Sequence, residues 1–245
     1  MTGDLLDKPD PKYCSLFEDF VIDLKNMTNN ENPVIVPGNH DVKRVIGSFF
    51  RDARYAVSSV SNRVVVDTSL RVIFLCFDSS RKGFLSCGRI TDNQMEVVGR
   101  HYENELRVSR ACDGYLPVAL LHHHTLTYNN DSDKRWWQIG LGNELTIRLH
   151  DADRFLEWCH GYRIETVLHG HRHIPRHLVD TVRRNNESVE ITTVGCGPSL
   201  GVNGHALCYD TIEWDPKGGR IISFYKSTGS GSFQEEVLEI KRNVR

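Results

Sequence analysis

Val34-Ile35-Val36-Pro37-Gly38-Asn39-His40-Asp41 joins a run of β-branched residues directly to a polar turn. Val34–Val36 predicts a short strand covered on both faces, because an apolar run without alternation has no solvent side. Pro37-Gly38 then ends it: proline cannot donate to a ladder, and glycine permits a sharp turn. Asn39, His40 and Asp41 therefore stand where the strand stops. In open α/β sheets that carboxyl end is where ligands are held. An amide oxygen, a titratable imidazole and a carboxylate there can bind a cation, move a proton and orient a neighbour. A plain polar turn would have the same composition, so the triplet alone leaves both readings open.

Other segments end in the same manner. Thr166-Val167-Leu168 runs into Gly170-His171-Arg172-His173, Pro117–Leu121 runs into His122-His123-His124, and Gly3-Asp4-Leu5-Leu6-Asp7 opens the chain. Between them helices and strands alternate, as a layered α/β fold requires. A helix is predicted from Asp10-Pro11, with Tyr13, Leu16, Phe17, Phe20, Val21 and Leu24 as its apolar face. Residues 42–60 read as partly helical, with Phe49, Phe50 and Tyr55 for packing. Strands at Val64–Val66 and Val72–Phe77 flank a turn, and helices follow at Ile90–Leu106 and Asp151–His160. Val189–Val194, Ala206–Tyr209, Thr211–Trp214, Ile221–Tyr225 and Val237–Ile240 predict a second sheet packed on the first. The loop from Thr125 to Leu145, with Tyr128, Asn129, Asn130 and Trp136-Trp137, is long enough to be functional, or simply to pack under its own tryptophans.

The chain has 245 residues, 39% hydrophobic and 25% charged, which suits one large soluble domain. A net charge of −2 excludes a whole-surface attraction to nucleic acid or anionic lipid, though not a nucleotide or nucleic acid end as substrate. No apolar run approaches the roughly 18 residues of a membrane span, and no signal peptide pattern precedes Gly3. The seven cysteines include no Cys-x-x-Cys pair and several lie in apolar runs, which predicts free thiols and a cytoplasmic location.

In order along the chain, Gly-Asp-x-x-Asp, Gly-Asn-His-Asp, a histidine after an apolar strand, and Gly-His-x-His resemble the calcineurin-like metallophosphoesterase family, from Gly3 to about Gly197. The resemblance implies an α/β fold: a two-sheet β-sandwich flanked by helices (α/β/β/α). It implies hydrolysis of phosphate esters, in particular phosphodiesters as in the cyclic-nucleotide phosphodiesterase branch, through a metal-bound hydroxide. The cofactors would be divalent manganese, iron or zinc, two in the family. Asp4 would bridge both metals, Asn39, His122 and His171 would complete one shell, and His173 would join the other. His40 would protonate the leaving oxygen, oriented by Asp41, with Asp7 and His123 behind the ligands or, for His123, at the surface. His101, His150, His160, His169 and His205 have no motif around them, and Arg172 reads as a solvated spacer.

One departure stands out. The family's Asp-x-His motif, expected on a strand before Gly3, occurs nowhere in the 245 residues. The expectation is therefore a single domain over 1–245 without its N-terminal strands, with a full ligand set for one metal. A catalytically inactive binding module is the alternative. The substrate would be a small phosphate ester or nucleotide, with no membrane partner.

Overall fold

The computed structural model describes residues 1–5, 13–28, 33–42, 64–80, 87–108, 112, 114–127, 147–184, 186–198, 206–215 and 219–240. The strands are β1 (Val64–Asp67), β2 (Val72–Cys76), β3 (Leu116–Leu120), β4 (Thr166–His169), β5 (Arg176–Arg184), β6 (Glu187–Gly195), β7 (Cys208–Trp214), β8 (Arg220–Ser227) and β9 (Phe233–Ile240). The helices are α1 (Cys14–Thr28), α2 (Asn39–Val42), α3 (Asp92–Val108) and α4 (Ala152–Gly161).

One sheet has the order β1-β2-β3-β4-β6-β5 and the other β7-β8-β9. Strands β2, β3, β4 and β6 are mutually parallel, while β1 and β5 close the two edges antiparallel. The parallel centre is apolar on both faces for a reason visible strand by strand. On β2, Ile73 and Leu75 join Phe155 and Leu156 of α4 and Met95 and Val98 of α3 in the main core. Cys76 on the opposite face joins Val36 and Leu120. Val194 of β6 meets Ile222 and Phe224 of β8, which seals the two sheets together. Helices therefore cover one face and the second sheet much of the other, the arrangement expected of strands without alternation.

Several sequence expectations change. Val34–Val36 is extended, with Ile35 and Val36 buried, but it belongs to neither ladder. Its backbone bonds are to Met1: the Met1 amino group donates to the Val34 carbonyl at 2.6 Å and Val36 N–H donates to Met1 at 3.1 Å. Val189–Val194 lies in the first sheet rather than the second, and β7 unites the two segments expected at 206–209 and 211–214. Among the described side chains of α1 only Phe17 and Val21 are buried and Leu24 is half-buried, whereas Leu16 and Phe20 face out, so its apolar stripe is narrow. The six cysteines whose side chains are described are free. Among the described residues no helix is long and apolar enough to cross a membrane. Phe49, Phe50, Tyr55, Asp7, His205 and the segment 128–146, with its tryptophans, lie outside the described residues.

Candidate metal centre

Parallel pairing places the ends of β2, β3 and β4 at one edge of the sheet. The β3–β4 pairing continues past both strands, with Leu121 N–H donating to Leu168 at 3.1 Å and Gly170 N–H to His122 at 3.0 Å. His122 and the Gly170-His171 turn therefore leave the sheet side by side. At His171 the backbone enters the left-handed region, with φ 68°, and His173 (φ 56°) and Asp4 (φ 55°) do the same. Such backbone costs roughly 1–3 kcal/mol per residue and persists where surrounding contacts impose it.

The turn after Val36 brings the second half. Gly38 N–H donates to Asp41 Oδ2 at 2.8 Å, so the buried Asp41 carboxylate caps the first turn of α2 from inside. His40 N–H donates to Asp4 Oδ1 at 3.0 Å, which ties the Gly3-Asp4 segment to this turn. The two backbones approach so closely that a Cβ on Gly38 would overlap the Asp4 nitrogen and Oδ1.

Four side chains converge here. His122 Nε2 lies 2.9 Å from Asn39 Oδ1, 3.1 Å from His171 Nδ1 and 3.3 Å from Asp4 Oδ2. His171 Nδ1 is 3.0 Å from the same Asn39 oxygen. His122 Nδ1 lies 2.6 Å from the Thr2 carbonyl, which can only accept, so this nitrogen carries the ring proton. Neutral His122 then turns a lone pair toward two acceptor oxygens and a third ring nitrogen. One proton cannot serve that many lone pairs, but a cation can. Metal–nitrogen bonds of about 2.0–2.1 Å imply neighbouring ligands about 3.0–3.4 Å apart, which is the spacing found. The donor set of imidazoles, carboxylate and amide oxygen suits manganese, iron or zinc.

Electrostatics agree with that set. Burial opposes charge on Asp4, but His122 beside it and the His40 N–H hold its carboxyl well below the usual range. Burial likewise opposes charge on His122, but the Asp4 carboxylate overrides it and raises the imidazole, so Nε2 is drawn toward a positive partner, a proton or in its place a cation. Burial, with His123, His122 and His124 nearby, pushes His171 far below the ordinary histidine value and so keeps it neutral, as ligation requires.

His173 is half-buried on the same turn. Among the described residues, the one group of three or more His, Cys, Asp or Glu side chains whose ligand atoms lie mutually within 4.8 Å is His122, His123 and His171, without His173 and without Asp4, whose contact in the cluster is with His122. His123 is fully buried, not at the surface. His124 and His169 are buried too, their rings 6.2 Å apart, and burial with His124 beside it lowers His169 to about 3. Sequence reasoning missed His169 because no motif marks it, and left two places open for His123 because identical residues in a row show no alternation and the strand ends at Leu120. Arg172, expected in solvent, is half-buried.

The solved structures that resemble the chain are remote. Vps29 from Entamoeba histolytica, a single mutant, is 14% identical over 51% of this chain and 55% of its own, with a TM-score of 0.28. Wild-type Vps29 of the same organism, complexed with Zn2+, is 14% identical over 50% of this chain and 54% of its own, at 0.27. GAP50, the anchor in the inner membrane complex of Plasmodium, is 12% identical over 70% of this chain and 50% of its own, at 0.33. The chain spans about half the length of these structures. No curated protein matches it. The sequence profile of the calcineurin-like phosphoesterases, in contrast, matches residues 1–175 and takes in every side chain of the converging cluster. The chain belongs to the calcineurin-like phosphoesterase family.

Proposed function

We propose that this protein is a metal-dependent phosphoesterase acting on phosphodiesters of small molecules or nucleotides. The observation that carries the reading is the gathering of Asp4, Asn39 and His171 around His122 Nε2 at ligand spacing. A divalent cation bound there neutralises phosphoryl oxygens and makes water a competent nucleophile near neutral pH. The chain's own residues do the rest. Asp4 and the two imidazoles hold the cation, with the Thr2 carbonyl and His40 N–H fixing the angles at which His122 and Asp4 meet it. His40, on the turn that Asp41 caps, delivers a proton to the departing oxygen. A net charge of −2 favours a compact substrate over an extended nucleic acid, and the free thiols favour the cytoplasm as its place of action.

The test compares leaving groups. With manganese or zinc supplied, His40→Ala is expected to slow hydrolysis of alkyl phosphodiesters about 100-fold or more, the scale of general acid catalysis. Nitrophenyl esters, whose oxygen departs without a proton, should slow less than about tenfold. Equal losses on both would remove His40 from that role. Failure of the unaltered protein to hydrolyse either ester with any of the three metals would favour a binding module instead.

A further inference from the structure

Of the four histidines buried at this edge, His123 has its ring held by contacts from several directions. Ser79 leaves the end of β2, the parallel neighbour of β3, and is itself completely buried. Its Oγ accepts from the His123 backbone N–H at 3.2 Å and lies 2.8 Å from the His123 ring Nδ1. Ser79 is held in turn by Arg89 N–H, which donates to its carbonyl at 2.7 Å. On another side Gly88 stands so close that a Cβ there would overlap the ring. Its centroid is 4.9 Å from that of His122 and 4.5 Å from that of His171.

An imidazole committed at Nδ1 to a hydroxyl has Nε2 to offer, which is how metal-binding histidines are fixed. The His123 Nε2 atom is fully buried. The ligand atoms of His122, His123 and His171 lie within 4.8 Å of one another, close enough for one cation to touch all three. We propose that His123 is a further ligand of this metal centre, offering Nε2, and that Ser79 is the residue that positions it. The inference rests on the metal centre described above and adds His123 beside His122 and His171 as a donor to it. Three imidazoles in one shell would also draw the site toward zinc, iron or cobalt and away from magnesium or calcium.

Cobalt(II) is the probe, because its visible absorption reports the donors around it independently of catalysis. The unaltered protein, His123→Ala, His123→Gln, Ser79→Ala and His171→Ala are each checked for a cooperative thermal melt and titrated with cobalt(II). His123→Ala and His123→Gln are expected to weaken cobalt binding by more than about 100-fold, beyond the loss of a group behind a ligand, and to shift the absorption band. Ser79→Ala should weaken binding about 10- to 100-fold and leave the band in place, since the ligands are unchanged. If His123→Ala does not fold, His123→Gln decides. Unshifted spectra and affinities in the His123 variants, with cobalt lost in His171→Ala, would overturn the inference while leaving the four-residue centre intact. Cobalt retained in His171→Ala would overturn the centre itself.

Discussion

Replacing His171 with alanine is expected to lower the affinity for manganese or zinc by more than about 100-fold, because it removes a ligand rather than a group behind one. His171 Nδ1 stands 3.1 Å from His122 Nε2 and 3.0 Å from Asn39 Oδ1, inside the cluster itself. The left-handed backbone at this position, φ 68°, gives a control. Glycine adopts that conformation without strain, so His171→Gly should be more stable than His171→Ala by about 1 kcal/mol. Both should lose metal equally. A glycine variant that recovered metal affinity would mean that the alanine variant fails through backbone strain and that the imidazole is not a ligand.

The second large effect is expected at Gly38. Its backbone and the Gly3-Asp4 backbone meet with no room for a Cβ: one on Gly38 would overlap Asp4, and one on Gly3 would overlap Gly38 and crowd the His122 ring. Overpacking at such a point costs about 1–3 kcal/mol. Gly38→Ala should therefore lower the melting temperature by roughly 2–12 °C, at about 2–4 °C per kcal/mol for a chain of this size. Displacing Asp4 from His122 and from the His40 N–H should also weaken metal binding at least about tenfold. Calorimetry and a metal titration on the same sample measure both. Unchanged values would show that the Gly3-Asp4 segment does not pack against this turn in solution.

The sequence made some elements legible and hid others for physical reasons. Strands β2, β3 and β4 are apolar on both faces, so composition alone marks them within a residue or two. Helices α3 and α4 carry their buried residues at helical spacing: Met95, Val98 and Tyr102 on one, Phe155, Leu156 and Cys159 on the other. Strand β5, Arg176–Arg184, was not predicted because it is an edge strand whose arginines and aspartate face water, and its pattern resembles a polar loop. Strand β6 was recognised but placed in the wrong sheet. Its β-branched composition says that it is a strand, whereas its nine-residue register with β5 and its parallel pairing with β4 are tertiary facts.

The candidate site divides similarly. Asp4, Asn39, His122 and His171 lie in motifs next to strand ends, and the structure brings those four together. The Thr2 carbonyl behind His122 and the His40 N–H behind Asp4 are backbone groups that any residue would supply, so no motif marks them. Ser79 is distant in sequence from His123 and becomes its neighbour only through the parallel pairing of β2 with β3.

Anomalous diffraction from crystals grown with manganese or zinc tests the central claim most directly. The expected result is a strong anomalous peak at the absorption edge of that metal, within about 2.0–2.3 Å of Asp4, Asn39, His122 and His171. A peak bound elsewhere, or these four side chains still bonded to one another with no peak between them, would contradict the account.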